Sequence, residues 1–189
     1  LGVCSDIAAA LSYLHERGVI FRDLKPNNIG FLNGRVQLFD FGLSRELPGQ
    51  DLHEPFEMSG KVGTLRYMAV EVACHSCYNV SADVYSWAMV SYETLTLQKP
   101  FSGWTRDMHS NLVCGQGVRP ATNTSAVEAG LLGAASRNNH HNSNNMSMRV
   151  LLEAAWNQSP DNRPSMTQVC LSMQSIEEEQ LHVTSVLLE

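Results

Sequence analysis

Eight residues, FRDLKPNN from Phe21 to Asn28, and the triplet DFG at Asp40–Gly42 constrain this chain more than anything else in it. Between them lie two short β-type runs, Ile29–Leu32 and Arg35–Phe39, joined by Asn33-Gly34, a dipeptide suited to a two-residue hairpin turn. A chain that leaves a loop, makes a hairpin and returns brings Asp40 onto a segment next to Asp23. One carboxylate, one ammonium and one amide then stand close together, with a second carboxylate beside them. That set suits the holding of magnesium and a polyphosphate next to a hydroxyl. Asn28 and Asp40 are hard oxygen donors, Lys25 is a positive charge, and Asp23 is a group that can orient a hydroxyl and take its proton.

Composition narrows the setting. A length of 189 residues, 43% hydrophobic and 17% charged, fits one globular unit with a sizeable core. The net charge of -6 argues against a generally basic, nucleic-acid-binding surface. Five irregularly spaced cysteines read as reduced thiols of a cytoplasmic protein rather than a disulfide framework. No apolar run is long enough to span a membrane. The chain opens at Leu1 with neither Met nor a leader pattern, so a fragment of a longer protein is expected.

The two motifs together, in this order and at this separation, resemble the catalytic loop HRDLxxxN and the DFG turn of eukaryotic protein kinases. The resemblance implies ATP and Mg2+ as cofactors, with Asp23 as catalytic base, Lys25 on the transferring phosphoryl group, and Asn28 and Asp40 on the metal. DLKPNN, with Leu43 after DFG, looks like the serine/threonine rather than the tyrosine kinases, which implies protein substrates with Ser/Thr acceptors. Phe21 departs from the family's histidine; its ring can keep the apolar packing under the DFG turn but cannot supply the histidine's hydrogen bond. Arg22 stands where the family uses an arginine to bind a phosphate on the activation segment, which spans 40–71 here. Ser59 is the first choice for that phosphate. Thr64, in GTLRYMAVE, resembles the peptide-binding stretch and is expected near Asp23 and Lys25. The middle of the segment, polar and rich in Gly and Pro, is expected as a mobile surface loop.

The rest of the chain reads as scaffold. Val3, Ile7, Leu11 and Leu14 predict an amphipathic helix over 3–17, with His15 no more than a helix-end residue. Residues 81–97, apolar on nearly every face, predict a central core helix capped by Ser81 and ended by Lys99-Pro100-Phe101. By resemblance Asp83 anchors the catalytic loop through backbone hydrogen bonds, and Glu71 pairs with a buried Arg163; Val70 replaces the family's proline before Glu71. Cys74 and Cys77 form CHSC, but no second ligand pair stands at a spacing that would make a zinc site. From about 121 to 148 an Asn-rich, low-complexity stretch reads as an insertion. Helical spacing resumes at Val150–Trp156 and Met166–Met173, and 177–189 reads as a final acidic docking helix.

The expected fold is therefore mainly α with a small β-hairpin, a protein-kinase-like C-terminal lobe over 1–176. The family's N-terminal lobe is absent: no GxGxxG occurs anywhere, and no strand lysine or its glutamate precedes Val3. Two readings stay open, the C-terminal lobe of an active kinase partnered by that missing lobe, and a pseudokinase or orphan lobe acting as a non-catalytic binding module. By resemblance the tyrosine-kinase-like group of serine/threonine kinases is the nearest subgroup.

Overall fold

The computed structural model describes residues 1–47, 54–60, 63–122 and 147–186. Helix α3 (Ser81–Thr96) is the axis of the core, with Val84, Tyr85, Trp87, Ala88, Met89 and Val90 all essentially inaccessible. A helix apolar on nearly every side must be covered on every side. Helix α1 (Gly2–His15) covers one flank with Cys4, Ile7, Ala8 and Leu11, and the Trp87 indole donates to the Cys4 carbonyl at 3.0 Å. Helix α5 (Met148–Ala155) covers another with Met148, Leu151, Leu152 and Ala155. The π-helical turn His109–Gly115, which continues α4 (Arg106–Met108), packs against α2 (Val70–Ala73).

Helix α6 (Met166–Val186) lies along α1. Val169, Met173 and Ile176 are buried, the Ser12 and Thr167 hydroxyls meet at 3.2 Å, and Ser5 donates to Glu177 at 2.7 Å. The docking helix expected at the end is thus continuous with the stretch before it, with no break near 176. No helix among the described residues is long and apolar enough to cross a membrane.

Two small antiparallel ladders sit at one end. Strand β1 (Val19–Ile20) pairs with β4 (Arg45–Glu46), and β2 (Ile29–Leu32) with β3 (Arg35–Leu38), Ile29 opposite Leu38 and Leu32 opposite Arg35. Asn33 and Gly34 have φ of 53° and 77°, the left-handed pair that a primed hairpin turn needs.

Some expectations change. Ser81 is not the cap of α3: it lies inside the helix, and the Asn79 side chain two residues earlier accepts from the Ser81 N–H at 2.8 Å. The helix ends at Leu97, whose left-handed backbone (φ 57°) turns the chain before Lys99 is reached. Parts of the activation segment are tied down, because Arg45 and Glu46 complete the ladder with β1 and Phe56 exchanges backbone bonds with Tyr78. Residues 48–53 and 61–62 of that segment lie outside the described residues. So does 123–146, nearly all of the proposed insertion, but its last position, Met148, is a buried residue of α5.

Candidate active site

The site begins with a buried carboxylate that belongs to the scaffold. Asp83, fully enclosed on the first turn of α3, accepts from the Phe21 N–H at 2.7 Å and the Arg22 N–H at 2.8 Å, one on each oxygen. The His15 Nε2 stands 3.0 Å from the same carboxylate. These bonds hold Arg22 at φ 75°, a conformation a non-glycine residue adopts only when its surroundings impose it. Two helices, α1 and α3, thereby fix where the loop turns, and His15 is a working part of that anchor, not the plain helix end expected of it.

Phe21 is fully buried, and its ring meets that of Phe41 edge to face at 5.2 Å. The aromatic substitution thus keeps the packing under DFG. The Phe21 carbonyl accepts from the Ser44 hydroxyl at 3.2 Å, tying the loop to the residue just after DFG-Leu.

Asp23 follows, 6% exposed. One carboxylate oxygen receives Lys25 Nζ at 2.5 Å and Asn28 Nδ2 at 3.1 Å, and the other receives the Thr64 N–H at 3.1 Å. Asn28 Nδ2 also reaches the Asp23 carbonyl at 2.9 Å. Pro26 shapes this cluster: it pushes Lys25 into the extended region (φ -157°, ψ 160°) and opens the single 3-10 turn Pro26–Asn28 that swings Asn28 back over Asp23. Asn28 spends its amide N–H on Asp23, so the end left for a cation is its oxygen.

The hairpin register then delivers Asp40. The Phe39 N–H donates to the Asn28 carbonyl at 2.8 Å, extending the ladder one step and bringing the chain past Asn28 just before Asp40. Asp40 is exposed, at φ 60°, with one oxygen accepting from the Gly42 N–H at 3.2 Å. An amide oxygen and an open carboxylate suit a hard cation that also takes water and phosphate oxygens. Among the described residues no cluster of three or more His, Cys, Asp or Glu could hold a metal by itself.

Gly63 closes the site from the far side. Its φ is 96°, and a Cβ there would lie 2.9 Å from the Arg22 carbonyl oxygen and 3.1 Å from an Asp23 carboxylate oxygen. Only glycine lets Thr64 come close enough to donate to Asp23. Thr64 itself is exposed.

Behind the loop, Arg22 is buried and its Nη2 donates to the Ser59 hydroxyl at 2.8 Å; Ser59 is itself exposed. The Tyr78 hydroxyl donates to the Ser59 carbonyl at 3.0 Å. Arg22 and Ser59, paired in the sequence only by resemblance, are in contact. Further below, Arg163 grips Glu71 with both terminal nitrogens, at 2.6 and 2.8 Å, and its Nη1 also donates to the Ser81 carbonyl at 3.0 Å.

Ser44, Gly63 and Tyr78 went unremarked in the sequence, and His15 was read only as a helix end. Gly63 could have been found from its place beside Thr64 in the GT pair. His15 carried no signal, because its partner lies 68 residues away.

The protein kinase domain family matches residues 2–173. Among curated relatives, Serine/threonine-protein kinase VIK of Arabidopsis thaliana is 41% identical over 102 residues, 51% of this chain and 23% of that protein. Serine/threonine/tyrosine-protein kinase HT1 of the same plant is 32% identical over 180 residues, 94% of this chain and 40% of HT1. Mouse ribosomal protein S6 kinase alpha-6 is 37% identical over 110 residues, 58% of this chain and 14% of that kinase. The chain thus spans well under half the length of these relatives. With the Asp23 loop, the DFG turn and the Glu71–Arg163 pair inside the matched residues, this chain belongs to the protein kinase family.

Proposed function

We propose that this chain is the C-terminal lobe of a serine/threonine protein kinase of the tyrosine-kinase-like group, transferring the γ-phosphate of ATP to Ser/Thr hydroxyls of proteins in signal transduction. The observation that carries the reading is the Asp23 carboxylate, fixed between Lys25, Asn28 and Thr64 on a loop that Asp83 anchors.

In this reading Asp23 orients the acceptor hydroxyl and takes its proton late in the transfer. Lys25, on a half-buried stem two residues away, offsets charge developing on the phosphoryl oxygens. The Asn28 oxygen and the Asp40 carboxylate hold the metal; when bound, Mg2+ supplies neutralisation of the polyphosphate charge. Thr64 positions Asp23 through its N–H and lines the peptide site with its side chain. Phosphorylated Ser59 would take two or more charge-assisted bonds from Arg22, whose guanidinium is already in place.

The partner is the N-terminal lobe of the same parent chain. Phe31, Leu32, Phe39 and Phe41, on the hairpin and DFG turn at the open side of the site, are about half to two-thirds exposed, an apolar patch that calls for cover. A cytoplasmic setting accompanies this reading, supported by five cysteines of which none is in a disulfide.

The test is phosphate transfer to a serine- or threonine-containing protein by the full-length parent with Mg2+ and ATP. Asp23→Asn, with circular dichroism unchanged, should lower the rate by a factor on the order of a hundred or more. Transfer undiminished in that variant would overturn the assignment.

A further inference from the structure

We propose that Cys74 and Cys114 form a paired dithiol that closes to an intramolecular disulfide when the protein meets a low-molecular-weight disulfide such as oxidised glutathione. The CHSC stretch, passed over as a metal site, supplies the first thiol. Cys74 is the exposed residue that ends α2, its N–H donating to the Val70 carbonyl at 2.9 Å. Cys114 sits half-buried on the π-helical turn that packs against α2, and its thiol is in interaction range of the Cys74 thiol. The Cys114 backbone is held independently, its carbonyl accepting from Gln158 Nε2 at 2.9 Å. Two thiols in interaction range on separately fixed backbones meet at high effective concentration.

The nearer cysteine in sequence is the worse partner. Three residues apart on one helix, Cys74 and Cys77 would share a face. His75 lies between them at φ 59°, which ends the helix and breaks that spacing. The local backbone therefore favours a partner 40 positions on over one three positions on.

The two thiols differ in character. The five-residue period of the π turn stacks His109 below Cys114, with Nδ1 3.9 Å from Sγ. Burial lowers the His109 pKa to about 4, with Arg119 and Arg66 adding to the effect, so this imidazole is neutral and lends no positive charge to the sulfur. Burial first, and then the neighbouring Cys74, push the Cys114 thiol up to about 11. Cys74, the exposed thiol, is the sulfur that a disulfide in solution reaches first, and half-buried Cys114 is the resolving one.

The chemistry balances. The Cys74 thiolate attacks one sulfur of oxidised glutathione, forming a mixed disulfide and expelling one glutathione thiolate. The Cys114 thiolate then attacks the Cys74 sulfur and expels the second glutathione. The two cysteines are oxidised, the glutathione disulfide is reduced to two thiols, and the two cysteine protons end on them. The product staples the helix that carries Glu71 to the π turn.

Peptide mapping of the full-length protein under non-reducing conditions, after incubation with oxidised glutathione, tests this. A crosslinked pair of peptides containing Cys74 and Cys114, two hydrogens lighter than the reduced pair and reopened by dithiothreitol, is the expected result. The link should persist in Cys77→Ser and vanish in Cys74→Ser. A Cys74–Cys77 link, a stable glutathione adduct on Cys74 with Cys114 still open to alkylation, or both cysteines unmodified would each overturn the proposal. The unsubstituted protein decides the matter even if serine at the half-buried position 114 prevents folding.

Discussion

The imidazole of His15 at the end of α1 meets the carboxylate of Asp83 at the start of α3 with 3.0 Å between Nε2 and Oδ2, across 68 residues of chain. Asp83 spends its remaining capacity on the Phe21 and Arg22 N–H groups. The contact thus couples two core helices to the turn that precedes Asp23.

Asp83→Ala should strand two buried N–H donors and a buried imidazole together, and release Arg22 from its left-handed backbone. The expected cost is about 3–5 kcal/mol, and His15→Leu, which leaves Asp83 its two backbone donors, should cost about 1–3 kcal/mol. Urea denaturation of the two variants measures both. A His15→Leu protein as stable as its parent would mean that the imidazole contributes nothing to the anchor.

Gly63→Ala probes the site with a single methyl group. The Cβ would lie 2.9 Å from the Arg22 carbonyl oxygen, in a backbone region L side chains rarely adopt, so the segment must move off Asp23 and the Thr64 bond must break. Phosphate transfer by the full-length protein should fall at least about tenfold through mispositioning. Transfer at the parental rate would show that the Thr64 contact with Asp23 is dispensable.

Glu71 and Arg163, 92 residues apart, form the bidentate pair that joins the end of the activation segment to the turn before α6. Arg163 has a fully buried side chain, so neither partner tolerates loss of the other. Glu71→Gln and Arg163→Met should each cost about 3–5 kcal/mol, while the double variant should cost clearly less than their sum. A double-mutant cycle by chemical denaturation reads the coupling directly, and additive losses would argue that the two residues act separately.

How much of this was legible depended on whether a residue's partner was local or written into a motif. The hairpin could be read because Asn33-Gly34 states its own turn, and the core helix because Ser81–Thr96 is apolar all round. Asp83 on the loop and Arg163 on Glu71 were reached through motif order alone, since no local pattern spans 61 or 92 residues. Ser81 was misread as the cap of α3 because serine is a good cap by type, whereas the position before the helix is Val80 and the Ser81 N–H is taken by the Asn79 side chain. His15 was undervalued for a physical reason: a histidine at a helix end has an ordinary use, complementing the helix dipole, and nothing nearby shows a carboxylate waiting on another helix.

The last expectation concerns pH and rests on His109, 3% exposed, with Nε2 unpartnered among the described residues and one edge against the Phe101 ring at 5.5 Å. Burial, then Arg119 and Arg66, lower its pKa from 6.5 to about 4. The folded state therefore refuses a proton that the unfolded chain accepts between those values. Unfolding takes up protons in that window, so stability is unaffected above about pH 6.5 and falls as pH drops toward 4, by at most on the order of 3 kcal/mol. His109→Phe keeps an aromatic ring in the same pocket without a titrating group. The denaturation midpoint of that variant should fall less steeply between pH 6.5 and 4 than the parent's, and parallel pH profiles would remove His109 as the cause of acid sensitivity.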